Sequence, residues 1–228
     1  APAVDKIFRA MEHWTMADTS EGAFQASLLM QKLLGEFGEG NEYAAPDRDL
    51  TNMVIYSLEQ HAGQDFLHHA KGILYQMEKV FKPNDIPYRV FIGHLSRHGT
   101  MKSAELAETL LFKIHNLFQD GKLDMGTSTE TFNSAITGYL RCKDGAKAEA
   151  VLKKMERLYD DGNLLDGSFP KNISYGLVIA AYKADKTWGS AFKADEVFRR
   201  METAYKAGND IAKPDVVSYV DMIYILTK

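Results

Sequence analysis

An all-α fold, an α-solenoid of stacked antiparallel helix-turn-helix repeats, follows from a self-similarity that runs through the whole chain of 228 residues. Ala26, Ala70, Ala107, Ala148 and Ala194 are each followed seven residues later by Leu33, Met77, Ile114, Met155 and Met201. Four residues beyond these stand Phe37, Phe81, Phe118, Tyr159 and Tyr205. The windows recur at intervals of 44, 37, 41 and 46 residues, inside the range of roughly 20 to 50 residues that marks stacked repeat units. Even the connections repeat: Gly-Asn-Glu-Tyr-Ala-Ala-Pro-Asp at 40–47 mirrors Gly-Asn-Asp-Ile-Ala-Lys-Pro-Asp at 208–215.

Offsets of seven and eleven residues are about two and three helical turns, so Ala, Met and the aromatic share one buried stripe. That stripe belongs to the second helix of each unit, where a small Ala admits a close neighbour and Met fills irregular gaps. First helices are marked by Tyr88-Ile92-Leu95, Phe132-Ile136-Tyr139, Tyr175-Ile179-Tyr182 and Tyr219-Ile223-Leu226. Their offsets of four and seven draw one face, which Ile55 and Leu58 continue upstream. Gly40, Gly121, Gly162 and Gly208, followed by Pro46, Pro170 and Pro214, suit helix exit and connection. Lys82-Pro83-Asn84 does the same over a shorter linker.

The units expected are degenerate or partial repeats over 1–47, complete repeats over 48–84, 85–128, 129–171 and 172–215, and a lone first helix over 216–228. At the amino end, the run 4–12 reads like 194–202, so two second-helix-like runs, 3–14 and 23–38, follow each other. The last first helix has no second helix to cover it, whereas an array normally ends in a polar cap. A longer natural chain is therefore expected, in keeping with a start at Ala1-Pro2.

Apolar residues make up 45% of the chain, enough for a continuous ribbon of core. No apolar run is long enough to insert in a membrane and no secretory signal is visible. Cys142 has no cysteine partner, which favours a reducing compartment. His94 and His98 share a helix face but lack a third ligand, so no metal is assigned. No phosphate loop, HExxH run or GxSxG elbow is present. The chain is read as a non-enzyme with no cofactor.

Thr131-Phe132-Asn133 with Ile136 and Tyr139, Ser174-Tyr175 with Ile179, Ala181 and Tyr182, and Lys213-Pro214-Asp215-Val216-Val217-Ser218-Tyr219 carry a closer likeness. Over roughly 48–228 the chain resembles the pentatricopeptide repeat (PPR) family, in a divergent variety with long linkers. The resemblance implies a superhelix whose first helices line a groove for single-stranded RNA, read at about one base per repeat. Carried over, the reader pairs are Asn52 with Asn84, Arg89 with Ser128, Asn133 with Lys171, and Gly176 with Asp215. The positions that pack against bases are Asp49, Ile86, Glu130 and Ile173, with Val217 and Val220 in the last half-unit. Asn52 with Asn84 resembles a pyrimidine-reading pair, Gly176 brings no side chain, and Arg89 and Lys171 suit phosphate better than a base edge.

The net charge is −4, the wrong sign for strong phosphate binding. First helices nevertheless sum to +3, leaving −7 on second helices and linkers. Arg89, Arg97, Arg141, Lys143, Lys183 and Lys186 are the cations of a modest basic groove, or of an ordinary solvated surface. The expected function is an RNA-binding protein of a mitochondrion or plastid, acting on transcript processing, stability or translation by occupancy. The alternative is a protein-interaction scaffold, a subunit or assembly factor of a larger organellar complex; the structural arm of a larger enzyme is a third reading.

Overall fold

The structure, a computed structural model, describes residues 2–61, 66–80, 85–123, 125–164 and 167–227. Asn84, with the rest of Lys82-Pro83-Asn84, lies outside the described residues, as does Phe81. Eleven α-helices and two short 3-10 turns, with no strand, make up the regular structure of the described residues. The helices are α1 (Pro2–Met16), α2 (Ser20–Gly38), α3 (Arg48–His61), α4 (Phe66–Val80), α5 (Ile86–Arg97) and α6 (Met101–Gln119). They continue as α7 (Thr129–Arg141), α8 (Gly145–Asp160), α9 (Asn172–Asp185), α10 (Ser190–Lys206) and α11 (Val216–Leu226). Two compact units divide the chain, residues 1–91 with 120–124 and residues 92–119 with 125–228, so that the division falls inside α5.

In the first unit α2 packs on α1, α3 and α4. Ala23, Ala26, Met30, Leu33 and Leu34 of α2 are wholly buried, as are Ala70, Ile73 and Met77 of α4. Each such Leu or Met removed from water is worth about 1.5–3 kcal/mol. The run 2–16 resembles a second helix in sequence but occupies a first-helix place. Asp18 in the left-handed region (φ 53°) reverses the chain, and the Thr19 hydroxyl accepts from the Gly22 N–H to start α2. α1 therefore makes a complete hairpin with α2 and packs beside α3, the next first helix.

In the second unit α7 is covered by α8 and α9 by α10, while α9 also lies against α7, α8 and α11. This is an α-solenoid stack. Gly138 lets α7 approach α6: an added Cβ would stand 3.4 Å from that of Ala104. The mirrored connections fold alike, each with a 3-10 turn, Glu42–Ala44 and Asp210–Ala212, and each after a glycine of strongly positive φ, Gly40 at 99° and Gly208 at 102°.

Candidate nucleic-acid interface

The starts of the first helices are set by caps. Ser128 Oγ accepts from the Thr131 N–H at 3.3 Å and pairs with its hydroxyl at 3.1 Å. Asp215 accepts from the N–H and hydroxyl of Ser218, both at 2.8 Å, and those bonds hold its carboxyl below the usual range. Both side chains are thus engaged by their own helices.

The remaining reader positions differ sharply in environment. Asn52 on α3 is 6% exposed, with its amide oxygen buried and accepting no hydrogen bond. Asn133 on α7 is half-buried, and its Oδ1 is in the same condition. A buried amide oxygen left without a donor is costly, so each is a place where a donor would be stabilising. Arg89 is exposed and held by Asp85, Nε to Oδ2 at 2.6 Å. Lys171 reaches Glu130 at 3.2 Å, which joins the second reader of that repeat to its packing position. Gly176 faces open space, with nothing within 4 Å of an added Cβ. Asn172 donates to Asp215 at 3.4 Å, linking the starts of α9 and α11.

Of the packing positions, Ile173 is 58% and Val217 65% exposed, while Ile86 is half-buried. Asp49 and Glu130 are exposed, as is Val220. Hydrogen bonding from its own backbone N–H holds the Glu130 carboxyl low against burial, which pushes it up, with Ser128 and Lys171 adding to the lowering.

Among the proposed phosphate contacts, Lys183 is committed to Asp221 at 2.6 Å and lies over the Tyr224 ring. Arg97 ends α5 and is exposed. Arg141 ends α7, and Lys143 and Lys186 follow α7 and α9 at matching positions, both left-handed, with φ 58° and 55°. These last three are exposed and make no ion pair among the described residues. They leave one or two available cations per repeat in the second unit.

Sequence reasoning missed a set of Tyr–Glu bonds that are buried or partly buried. In the second unit Tyr139 donates to Glu108 and Tyr182 to Glu149, and in the first Tyr88 donates to Glu78. Each joins a first helix to the second helix before it. The available signal was a Glu six residues ahead of Ile114 and of Met155, matched to Tyr139 and Tyr182. Arg200 on α10 joins the Tyr182–Glu149 pair, reaching Glu149 at 2.7 Å and Glu156 at 3.3 Å. Among the described residues no group of three or more His, Cys, Asp or Glu is placed to hold a metal, and no helix is long and apolar enough to cross a membrane. Cys142 is half-buried, and burial, with Asp144 beside it, pushes its thiol above the usual range.

Stacked hairpins with small-residue contacts and recurring caps define a helical-repeat protein. Within the second unit, residues 130–159 match the family model of the PPR repeat. The match runs from the first turn of α7 through Tyr159 near the end of α8, so the likeness to a PPR repeat spans this hairpin. No curated protein matches the chain.

Proposed function

We propose that the chain is an RNA-binding helical-repeat protein of a mitochondrion or plastid, which shelters or presents a single-stranded segment and so acts on transcript processing, stability or translation. The carrying observation is the α7–α8 hairpin: it matches the PPR repeat and holds Asn133 near its start with an amide oxygen that accepts no hydrogen bond. Turned toward the groove, the half-buried Asn133 amide would accept from an exocyclic amine or ring N–H of a base. Ile173, exposed at the start of the next first helix, offers an apolar surface for that base. Lys143 and Lys186 recur at the far ends of α7 and α9, one repeat apart, as phosphate contacts do along a strand. The protein works by occupancy, with no bond made or broken.

The test is retention of the purified chain on a pool of single-stranded RNA at about 50 and 200 mM salt, with sequencing of the retained molecules. Enrichment of one base at a fixed register, weakened by about 1 kcal/mol in Asn133→Ala, is expected. Loss of retention at both salts favours the second reading, a protein-interaction scaffold. That reading draws on α11, where Val216, Val220, Ile223 and Leu226 are each more than half exposed.

A further inference from the structure

We propose a second site in the second unit, on the side of the second helices: a cleft between α8 and α10 that binds a lysine or arginine side chain of an extended basic peptide. The cleft encloses about 890 Å³ and is bounded by the ends of α8 and α10 and by the connections that leave them. This is within the range of about 300–1,000 Å³ typical of ligand pockets.

The chain itself provides the comparison that makes this opening specific. One repeat earlier, the corresponding residues are larger and two of them close on their neighbours. Phe118 presses against Gly126, so closely that an added Cβ there would stand 2.8 Å from the ring. Gln119 Nε2 donates across to the Asn163 carbonyl at 3.2 Å, and the aligned positions hold the larger Leu158 and Arg157. In the later repeat Leu158 becomes Ala204, Arg157 becomes Thr203, and Gln119 becomes Asp160, which makes no such bridge. Removal of those side chains leaves a floor of Ala204 and Ala207 on which an alkyl stem can lie.

Its walls select the ligand. Tyr159 and Phe169 stand 6.2 Å apart between ring centroids at a tilt of 59°; Lys171 Nζ already lies 5.7 Å from the Phe169 centroid, so the half-exposed Tyr159 ring is the face offered to an incoming cation. Asp160 and Asp210 line the cleft, are exposed, and make no ion pair among the described residues. The single cation of the lining, Arg200, is neutralised by Glu149 at 2.7 Å and Glu156 at 3.3 Å. The field is therefore negative, repelling a phosphate backbone and drawing an ammonium or guanidinium. A peptide fits better than a small polyamine because Asp210 and Ile211 also border an adjoining groove formed with Pro214, Val216 and Tyr219. That groove, which also carries Asn172, Lys213 and Asp215, gives the flanking residues of a chain a partly apolar track.

The test is fluorescence anisotropy of the whole chain with a labelled acetyl-Gly-Arg-Gly-Arg-Gly amide, at about 20 and 150 mM salt. Saturable binding is expected, weakened about tenfold in Asp160→Asn/Asp210→Asn, whose sites are exposed and leave the core intact. Ala204→Leu, which restores the earlier repeat's filling, is expected to abolish binding without loss of helical signal. Glu12→Gln/Glu39→Gln, which removes the same charge elsewhere, is expected to leave affinity within about twofold. Equal weakening by this control, no saturation up to about 1 mM peptide, or displacement by spermine more tightly than by the peptide would each overturn the proposal.

Discussion

Glu149 shows how far a single side chain can depart from the role its sequence position suggests. On a second helix it reads as one of many solvated acids, yet only 4% of it is exposed. Burial pushes its carboxyl up, but donors from Lys153 at 2.8 Å, Tyr182 at 2.6 Å and Arg200 at 2.7 Å outweigh this and hold it at about 2. A folded value below the ordinary 4.5 means stability that is present in full above that pH and is lost as pH falls through about 2. Glu149→Gln leaves Arg200 short of its closest partner and should cost roughly 3 kcal/mol in urea unfolding at neutral pH. A loss under about 0.5 kcal/mol would mean the cluster behaves as a solvated surface pair. His94 acts over a higher window. It is 8% exposed with Nε2 2.9 Å from that of His98, and burial first, then the His98 charge, lowers its value from 6.5 to about 4. Its neutral form is favoured in the fold, so stability is full above 6.5 and declines as pH falls toward 4. Urea midpoints measured across that interval should fall for the natural chain and flatten in His94→Gln; parallel slopes for the two would exclude His94 as the cause.

Among the elements, two glycines of similar appearance in sequence are opposites in the structure. A Cβ on Gly145, at the start of α8, would lie 2.3 Å from Cδ1 of Tyr182. That ring is 4% exposed and tied to Glu149, so it has little freedom to yield. Gly145→Ala should therefore destabilise by about 1–3 kcal/mol despite its better helix propensity. Gly176→Ala, in the body of α9 with open space around it, should stabilise by about 0.5–1 kcal/mol. Thermal unfolding of the two variants tests this directly, and shifts of the same sign would refute it. The helices themselves were legible because Ala, Met and aromatic spacing directly encodes a buried stripe. The connections 40–47 and 208–215 were legible because identical Gly, Asn and Pro placements impose the same turn. What α1 packs against was not: its residues match α10, but its slot is set by a left-handed Asp18 and a three-residue turn rather than by its own face. Nor was the burial of Asn52, since a motif fixes a helix register and not the side chains that close over it. The Tyr–Glu bonds of the second unit escaped for the same reason, each depending on two residues more than thirty positions apart.

At the scale of the whole molecule, the net charge of −4 and the proposed RNA binding are compatible only if few phosphates are neutralised. Three of the seven expected basic positions are already engaged: Arg89 by Asp85, Lys171 by Glu130 and Lys183 by Asp221. Arg141, Lys143 and Lys186 remain in the second unit without ion pairs among the described residues. Three phosphate contacts on a single strand correspond to a slope of log K against log salt of about −2, since each contributes about −0.7. Lys143→Gln/Lys186→Gln should bring that slope to about −0.7 and weaken all RNA sequences alike, whereas Asn133→Ala should weaken one base preference and leave the slope unchanged. Both lysines sit in the left-handed region just beyond their helices, so their replacement removes charge without disturbing a buried contact. A slope of about −5 would place the strand on cations elsewhere, and a slope near zero would remove phosphate contact from the mechanism and leave the exposed face of α11 as the better guide to a partner.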